Sequence, residues 1–297
     1  MTINEHIIHL PTRDKRPAIE LHTIISTPSL PTATSEPALL FLHFWGGSNR
    51  TFSRLISQLS NDFTMIAPSL RGWGRSSKPI DPGACHIRNY VDDIIGLISV
   101  IQVSTPKLLC NGNVPVGHSM GGKIAQVLLT RPEVLSLVKG MILLAPAPAG
   151  AFRLPNEMTE MQIKAYESLQ TADMAIRSVL LRNAESIGEA EVAALVADAV
   201  ARSPGANSTL PSYGMAEDFE EVVREVIRGL KHRQARVLVV VGELDQVEPE
   251  AVVREKVGRM VEEEGALVSA HSLDRVGHMI PIEAPVELAE VVKAFLC

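Results

Sequence analysis

A serine that stands between two glycines constrains this chain more than any other feature of its sequence. Residues 117–121, Gly-His-Ser-Met-Gly, follow Val114 and Val116 and precede residues 123–129, whose apolar spacing is helical. A turn that passes directly from a strand into a helix crowds its own neighbours, and glycines on both sides of Ser119 relieve that crowding. The helix then directs its positive N-terminal end toward the serine oxygen. The pattern therefore predicts a strand, a tight serine-bearing turn and a helix.

Apolar runs of strand length alternate with helical patterns around this unit. Buried strands are predicted at residues 38–44, 140–144 and 236–241, a further strand at 63–67 and a strand-like segment at 267–273. Helices are predicted at residues 51–59, 87–101, 252–261 and 286–295. Strands that are apolar on both faces indicate a mostly parallel central sheet flanked by helices, which is an α/β fold.

The alternation stops between about residues 147 and 232. Helix candidates follow one another there, at 161–169, 172–181, 189–201 and 219–230, with no strand pattern between them. We predict a core of residues 1–146 and 233–297 that carries a helical lid insertion at 147–232. The alternative is that these helices are ordinary crossover connections of the sheet.

Composition narrows the classes of protein and of partner. The 297 residues are 46% apolar, which is ample for one large domain with a buried core. A net charge of −6 without a Lys/Arg run predicts no nucleic-acid partner, and no apolar run is long enough for a membrane span. The polar N-terminus does not resemble a signal peptide, so we expect a cytoplasmic protein. The three cysteines have no zinc or disulfide spacing. Chemistry carried by an activated serine implies neither a metal nor another cofactor.

Five segments together resemble the α/β-hydrolase superfamily, in its esterase and lipase-like serine hydrolase branch. Residues 117–122 are similar to the nucleophile elbow of that family, and residues 42–48, Leu-His-Phe-Trp-Gly-Gly-Ser, to its oxyanion loop. Residues 70–76, 238–245 and 276–278 resemble the loop after the next strand, the strand with the acid, and the histidine loop. The resemblance covers about residues 38–144 and 236–296, and it implies the α/β-hydrolase fold. It does not cover the predicted lid.

The catalytic residues are predicted to be Ser119, Asp245 and His278. A serine hydroxyl is a poor nucleophile until a base takes its proton. Of nine histidines, His278 lies in a glycine-containing loop after the last strand and before the last helix, and the chain order Ser, Asp, His is the order expected on this fold. The acid should follow the strand at 237–241, where Glu243, Asp245 and Glu248 are the candidates. The family pattern Gly-x-x-Asp favours Asp245, with Glu243 as the alternative.

The developing oxyanion of the reaction needs hydrogen-bond donors. One is predicted to be the backbone N–H of Met120, at the start of the helix. The resemblance puts the second on the backbone N–H of Trp45. Phe44 stands where the family usually has glycine, which we expect to tilt this loop or to narrow the acyl pocket. Phe44, Trp45 and His118 are predicted to contact the substrate, with core packing as the alternative for the Trp45 indole.

The segment before the elbow departs from the family pattern. Residues 108–110 are followed by Asn-Gly-Asn at 111–113, and Asn-Gly is a turn signal. Pro115 then lacks the N–H that a central strand donates. We expect a bulge, a short excursion of the strand or a strained insertion at this point.

These residues predict a serine hydrolase that cleaves a carboxylic ester, thioester or lactone of a small apolar substrate through an acyl-enzyme on Ser119. Relatives that act on epoxides or halogenated compounds use an aspartate nucleophile, so Ser119 disfavours those reactions. A C–C bond hydrolase and a cofactor-free perhydrolase remain alternatives because they keep the same triad. A catalytically slow, receptor-like ligand-binding protein on the same fold is the alternative from another class. In each case the partner is a small molecule.

Overall fold

One eight-stranded sheet organises the residues that the computed structural model describes, which are 2–11, 18–29, 36–230 and 236–296. The strands are β1 (Thr2–Leu10), β2 (Ile19–Thr27), β3 (Ala38–Leu42), β4 (Met65–Pro68), β5 (Asn113–His118), β6 (Met141–Leu144), β7 (Arg236–Gly242) and β8 (Leu267–Leu273). Their order across the sheet is β1-β2-β4-β3-β5-β6-β7-β8. β1 pairs antiparallel with β2, and β2 with β4, whereas all other neighbours are parallel. This is the predicted α/β-hydrolase arrangement.

Helices cover both faces of the sheet. They are α1 (Ser53–Leu59), α2 (Ile87–Ser104), α3 (Met120–Leu128), α4 (Pro132–Leu135), α5 (Asn156–Lys164), α6 (Leu169–Ala175), α7 (Ala184–Ile187), α8 (Glu189–Val200), α9 (Pro204–Thr209), α10 (Glu220–Gly229), α11 (Glu250–Val253), α12 (Arg259–Glu263), α13 (Ile280–Glu283) and α14 (Pro285–Leu296). Short π-helical turns follow α6, α9 and α11, at Ile176–Leu180, Leu210–Gly214 and Arg254–Gly258. Among the described residues, no helix combines the length and the apolar composition that crossing a bilayer requires.

The two faces of the sheet belong to two separate apolar cores. Along β3, Leu40 and Leu42 pack in the core under α2 and α3, while Leu39 and Phe41 pack in the core under α1 and α14. Successive residues of a strand point to opposite faces, so a strand that is covered on both sides must be apolar throughout. All five residues of β3 are buried, which explains why this strand could be predicted as a continuous apolar run.

The expected irregularity before the elbow is wrong, because the strand starts later than the sequence suggested. Residues Pro106–Leu109 form a 3₁₀ turn, Gly112 adopts a positive φ of 82°, and β5 then runs through Pro115 without a bulge. The Asn113 N–H donates to the Leu137 carbonyl oxygen, and the Asn113 carbonyl oxygen accepts from the Lys139 N–H. Every second residue of a strand directs these backbone groups to the same side, so the Pro115 nitrogen also faces the β6 side. β6 pairs with β5 only from Val116 onward, so the missing N–H of Pro115 leaves no ladder bond broken.

Residues 147–230 between β6 and β7 contain α5 to α10, and no strand lies in this part of the described chain. The predicted helix at 161–169 is misplaced. Ser168 accepts a hydrogen bond from the Thr171 N–H and starts α6 at Leu169, so residues 165–168 are a turn between α5 and α6. The predicted boundary between residues 232 and 233 lies outside the described residues. The name helical segment is used below for residues 147–230.

A buried ion pair fixes the loop after β4 to α2. The Arg71 guanidinium contacts both carboxylate oxygens of Asp93, and the two residues are only 5% and 4% exposed. Arg71 Nη1 also donates to the Ala84 carbonyl oxygen at 3.1 Å. Paired in this way the two charges are compatible with burial, whereas either one alone would not be.

Replacing Asp93 with asparagine should therefore lower the free energy of unfolding by about 3–5 kcal/mol, because it leaves Arg71 buried without its counter-charge. The neighbouring variant Asp92→Asn is a matched control. Asp92 pairs with Arg131 at 2.8 Å near the surface, and such a pair is worth less than about 1 kcal/mol. Urea unfolding of both variants measures the difference, and equal losses would contradict this account of the buried pair.

Candidate active site

Ser119 occupies the turn between β5 and α3 in a strained backbone conformation. Its φ is 52° and its ψ is −114°, a region that non-glycine residues rarely adopt. The turn is held by the Ser119 N–H, which donates to the Leu144 carbonyl oxygen at 3.0 Å, and by the Ser119 carbonyl, which accepts from the Gly122 N–H at 2.8 Å. A strained backbone conformation persists only where several surrounding contacts hold it in place, and such residues concentrate at functional sites.

The glycines of the elbow allow α3 to lie directly against the sheet. A Cβ atom built on Gly121 would collide with the Leu42 carbonyl oxygen, and one on Gly117 would collide with the Gly121 carbonyl oxygen. A Cβ on Gly122 would lie 2.6 Å from Cβ of Pro146. Backbone contacts this close leave no room for a side chain, so each glycine is required for packing as well as for the turn.

Asp245 and His278 form a buried pair at the ends of β7 and β8. His278 Nδ1 lies 2.8 Å from Asp245 Oδ2, and the two side chains are 1% and 0% exposed. The other carboxylate oxygen, Oδ1, accepts hydrogen bonds from the N–H groups of Val247 at 2.7 Å and Glu248 at 3.0 Å. Burial alone would raise the pKa of Asp245, but the charge and hydrogen bond of His278 and these two N–H groups together lower it.

The other two acidic candidates, Glu243 and Glu248, have different surroundings from Asp245. Glu243 is exposed, and its carboxylate accepts a hydrogen bond from the Arg275 N–H at 2.8 Å. Glu248 is buried, and burial, followed by the charge of Asp245, raises the pKa of its carboxyl to about 8, with Lys123 acting in the opposite direction. Asp245 is thus the carboxylate that contacts His278, and its role as the orienting acid stays a prediction.

Residues 43–48, named the oxyanion loop here, form a tight turn after β3. The Gly47 N–H donates to the Phe44 carbonyl oxygen at 3.0 Å, and Gly46 has a φ of 99°, as the third residue of a type II turn requires. His43 holds this turn to the core. Its Nδ1 lies 2.8 Å from the Phe44 carbonyl oxygen, and its Nε2 accepts the Leu70 N–H at 2.9 Å. Burial lowers the pKa of His43 to about 4, so its ring stays neutral in this role.

The two predicted oxyanion donors lie at the ends of adjacent strands. Met120 is the first residue of α3, where a backbone N–H has no acceptor within its own helix. Trp45 follows β3, and β3 is the parallel neighbour of β5. The Trp45 indole Nε1 donates to the carbonyl oxygens of Ala206 and Asn207 at 3.1 and 3.2 Å. The donor roles of Met120 and Trp45 stay predictions.

Phe44 and His118 are buried beside His278. Their rings lie 5.3 Å apart, and the His118 ring lies 5.0 Å from that of His278. His118 Nε2 lies 2.8 Å from the His278 carbonyl oxygen, and burial, then the neighbouring His278, lowers the pKa of His118 to about 3. The observed contacts of His118 are with Phe44 and His278, and its predicted contact with the substrate stays a prediction.

The helical segment contacts the histidine loop through Glu283 and Leu180. Glu283 Oε1 accepts the N–H groups of Arg182 at 2.7 Å and Asn183 at 3.2 Å, and Oε2 accepts the Gly277 N–H at 3.0 Å. The His278 N–H donates to the Leu180 carbonyl oxygen at 2.9 Å. One carboxylate and one carbonyl thus fix the chain around His278 to the helical segment.

Lys123 fixes the helical segment to the elbow helix. Its Nζ donates to the carbonyl oxygens of Gly150 at 3.2 Å, Met215 at 3.2 Å and Glu217 at 2.6 Å, which uses all three ammonium donors. Burial lowers the pKa of Lys123 to about 8, against the attraction of nearby acidic residues.

The contacts of Lys123, Glu283 and Tyr166 were not predicted from the sequence. A lone charge in an otherwise apolar helix was the available signal for Lys123. Tyr166 offered no signal, because its hydroxyl donates to the Trp45 carbonyl oxygen, at 3.3 Å, across 121 positions of the chain. Within the described ranges, no group of three or more His, Cys, Asp or Glu side chains is arranged to hold a metal ion.

The chain belongs to the alpha/beta hydrolase family, whose model matches residues 39–291. Over 107 residues it is 32% identical to an epoxide hydrolase of Caballeronia sordidicola, and that match covers 35% of this chain and 30% of the relative. The chain therefore matches about a third of the length of this curated relative. Family membership supports hydrolytic activity.

Two solved structures resemble the whole chain at low sequence identity. A bromoperoxidase from Bacillus anthracis has a TM-score of 0.78 and 14% identity, and the likeness covers 99% of both chains. An enol-lactonase from Burkholderia xenovorans has a TM-score of 0.72 and 18% identity, covering 94% of this chain and 96% of the other. These likenesses show the fold.

The buried carboxyl of Glu248 makes a prediction about stability and pH. A pKa of about 8 in the folded chain, raised from 4.5, means that folding favours the protonated acid. The stabilisation that this group contributes is complete below pH 4.5 and is lost as the pH rises through 8. Glutamine does not titrate, so the variant Glu248→Gln does not lose this stabilisation as the pH rises. The free energy of unfolding of the variant minus that of the wild type should therefore increase from pH 5 to pH 8.

Urea unfolding at the two pH values tests this, with the exposed variant Glu243→Gln as the control. A Glu248→Gln difference that stays constant or decreases between pH 5 and pH 8 would show that Glu248 is not protonated in the folded chain.

Proposed function

We propose that this chain is a serine hydrolase that cleaves a carboxylic ester, thioester or lactone of a small apolar substrate. The observation that carries the proposal is the hydrogen bond between buried Asp245 and His278 at the same edge of the sheet as the strained Ser119. All three follow the carboxyl ends of parallel strands, which is where open α/β sheets bind their ligands.

Asp245 determines which nitrogen of His278 can act as the base. An ionised carboxylate can only accept hydrogen bonds, so the Nδ1 atom that faces Asp245 carries the proton. The lone pair of neutral His278 is then on Nε2. In acylation, Nε2 takes the Ser119 proton while Oγ attacks the carbonyl carbon, and Asp245 stabilises the imidazolium that forms.

The same groups complete the cycle. The imidazolium gives its proton to the departing alcohol or thiol, which leaves an acyl group on Ser119 Oγ. A water molecule then loses a proton to His278 and attacks the acyl carbon, and the returned proton releases the carboxylic acid from Ser119. In both steps the Met120 and Trp45 N–H groups are proposed to stabilise the tetrahedral oxyanion.

We further propose that the helical segment is the predicted lid. Its contacts with the oxyanion loop, the elbow helix and the histidine loop, through Trp45, Lys123 and His278, support this placement over the carboxyl edge. A cover at this edge excludes water from the tetrahedral intermediate and surrounds the acyl group.

Ester hydrolysis is favoured over the alternatives that use other chemistry. Epoxide opening in the related family branch uses an aspartate nucleophile, and this chain has Ser119 at that position. The enol-lactonase likeness is consistent with a lactone or ester substrate. The bromoperoxidase likeness makes cofactor-free perhydrolysis the second candidate, because hydrogen peroxide could replace water in the deacylation step.

Replacing Ser119 with alanine should abolish turnover of an activated aryl ester and labelling by a fluorophosphonate probe, with little change in thermal stability. The nucleophile is lost, while the backbone of the turn and its three glycines are kept. Ser57→Ala on α1, where an exposed hydroxyl bonds only its own helix, is the matched control and should behave as the wild type. A wild type that neither hydrolyses the ester nor reacts with the probe would favour the ligand-binding alternative.

Asp245→Asn should lower kcat by about 10³–10⁴-fold, because the neutral amide no longer holds the proton on His278 Nδ1. The companion variant Glu243→Gln should stay near the wild-type rate, since its carboxylate bonds Arg275 rather than His278. If Glu243→Gln is the variant that loses activity, the assignment of the acid is wrong.

A further inference from the structure

Three separate contacts join the oxyanion loop to the helical segment. Ser48 Oγ donates to Asp198 Oδ2 on α8 at 2.7 Å. The Trp45 indole donates to the carbonyl oxygens of Ala206 and Asn207 on α9. The third contact comes from Tyr166 in the turn after α5, whose hydroxyl donates to the Trp45 main-chain carbonyl oxygen at 3.3 Å.

Two peptide planes meet at Trp45, and different parts of the protein hold them. The plane that contains the Trp45 N–H begins with the Phe44 carbonyl, which is bonded to His43 and to the Gly47 N–H within the core. The next plane contains the Trp45 carbonyl and the Gly46 N–H, and this carbonyl is bonded to the Tyr166 hydroxyl. Because a trans peptide is planar, holding the Trp45 carbonyl oxygen also fixes the direction of the Gly46 N–H, which points the opposite way.

The second plane is the one that a turn can rotate most easily. Type I and type II turns differ in the orientation of this central peptide, and the glycine at position 46 can adopt either conformation. The Tyr166 ring restricts the rotation, because it packs against the Trp45 indole with centroids 4.4 Å apart and ring planes tilted by 33°. It also lies against Gly46, where a Cβ would be 2.7 Å from the Tyr166 hydroxyl oxygen.

We propose that Tyr166 is a positioning residue for oxyanion stabilisation, whose ring and hydroxyl hold the Trp45–Gly46 peptide in its type II orientation. Rotation of this peptide would leave the Trp45 N–H in its core-held plane but would reverse the neighbouring Trp45 carbonyl dipole, so the electrostatic field at the proposed donor depends on the seating of the helical segment. Preorganised donors stabilise a transition state because they need no rearrangement when charge develops. Tyr166 therefore acts through Trp45, and it needs no contact with the reacting atoms. This inference rests on the proposed function.

The test compares Tyr166→Phe, which removes only the hydroxyl, with Tyr166→Leu, which also removes the ring. Loss of one neutral hydrogen bond should lower kcat for an activated aryl ester about 3- to 10-fold. Loss of the ring as well should lower it about 100-fold, as for a missing oxyanion donor. KM should change by less than about 2-fold, because the loop acts on the transition state rather than on the bound substrate.

A thionoester of the same acid separates oxyanion alignment from a general structural effect. Sulfur is a weak hydrogen-bond acceptor, so the thionoester depends less on the oxyanion donors. Both Tyr166 variants should therefore lose less activity on the thionoester than on the ester. Tyr213→Phe is the matched control, since Tyr213 lies in the same helical segment and its hydroxyl is 3.1 Å from Thr209 Oγ1. It should keep wild-type rates on both substrates.

Equal losses on the ester and the thionoester, or no loss in Tyr166→Phe, would overturn the proposal. A loss that appears in KM alone would also overturn it. A wild type that fails both to hydrolyse the ester and to react with the fluorophosphonate would instead refute the proposed function, and the inference with it. Thermal unfolding of Tyr166→Phe should stay close to that of the wild type, so its kinetics report alignment rather than loss of fold.

Discussion

The close approach of the elbow helix to the sheet is the contact on which the rest of the site depends. Gly121 lies against the Leu42 carbonyl so closely that no side chain fits between α3 and β3. This contact brings the first turn of α3 beside the oxyanion loop, since β3 continues directly into that loop. The positive φ of Ser119 is the local cost of turning the chain so sharply. The backbone bonds to Leu144 and Gly122 hold the strained turn in place.

The helical segment is integrated with the core rather than loosely attached to it. Lys123 alone satisfies three carbonyl oxygens of the segment, and a buried ammonium group that lost them would bear a large desolvation penalty. Glu283 links the segment to the histidine loop in the same manner. The elbow helix and the histidine loop therefore both contact the segment. Changes in the packing of the segment should affect the proposed chemistry as well as substrate access.

The sequence could predict elements whose pattern is local. Strands β3 to β7 are apolar on both faces, and the elbow is read from five adjacent residues. The antiparallel strands β1 and β2 were not predicted. The first six residues of β1 are exposed, and no apolar alternation marks that strand. The strand before the elbow was misjudged at Pro115, since the sequence does not show where β6 begins to pair. Asp245 and His278 could be predicted from loop position, whereas the bonds of Tyr166 and Glu283 join distant segments and needed the structure.

If Ser119 is the nucleophile, it carries the acyl group of the substrate during turnover, and the position of that group can be mapped. The enzyme is mixed with an activated aryl ester, stopped with acid within the first turnover, digested and mapped by mass spectrometry. We expect the acyl mass on the peptide that contains Ser119, and we expect it to be absent from the same peptide of Ser119→Ala. An acyl group mapped to another side chain would contradict this role of Ser119. So would a wild type that hydrolyses the ester but never carries a detectable acyl group.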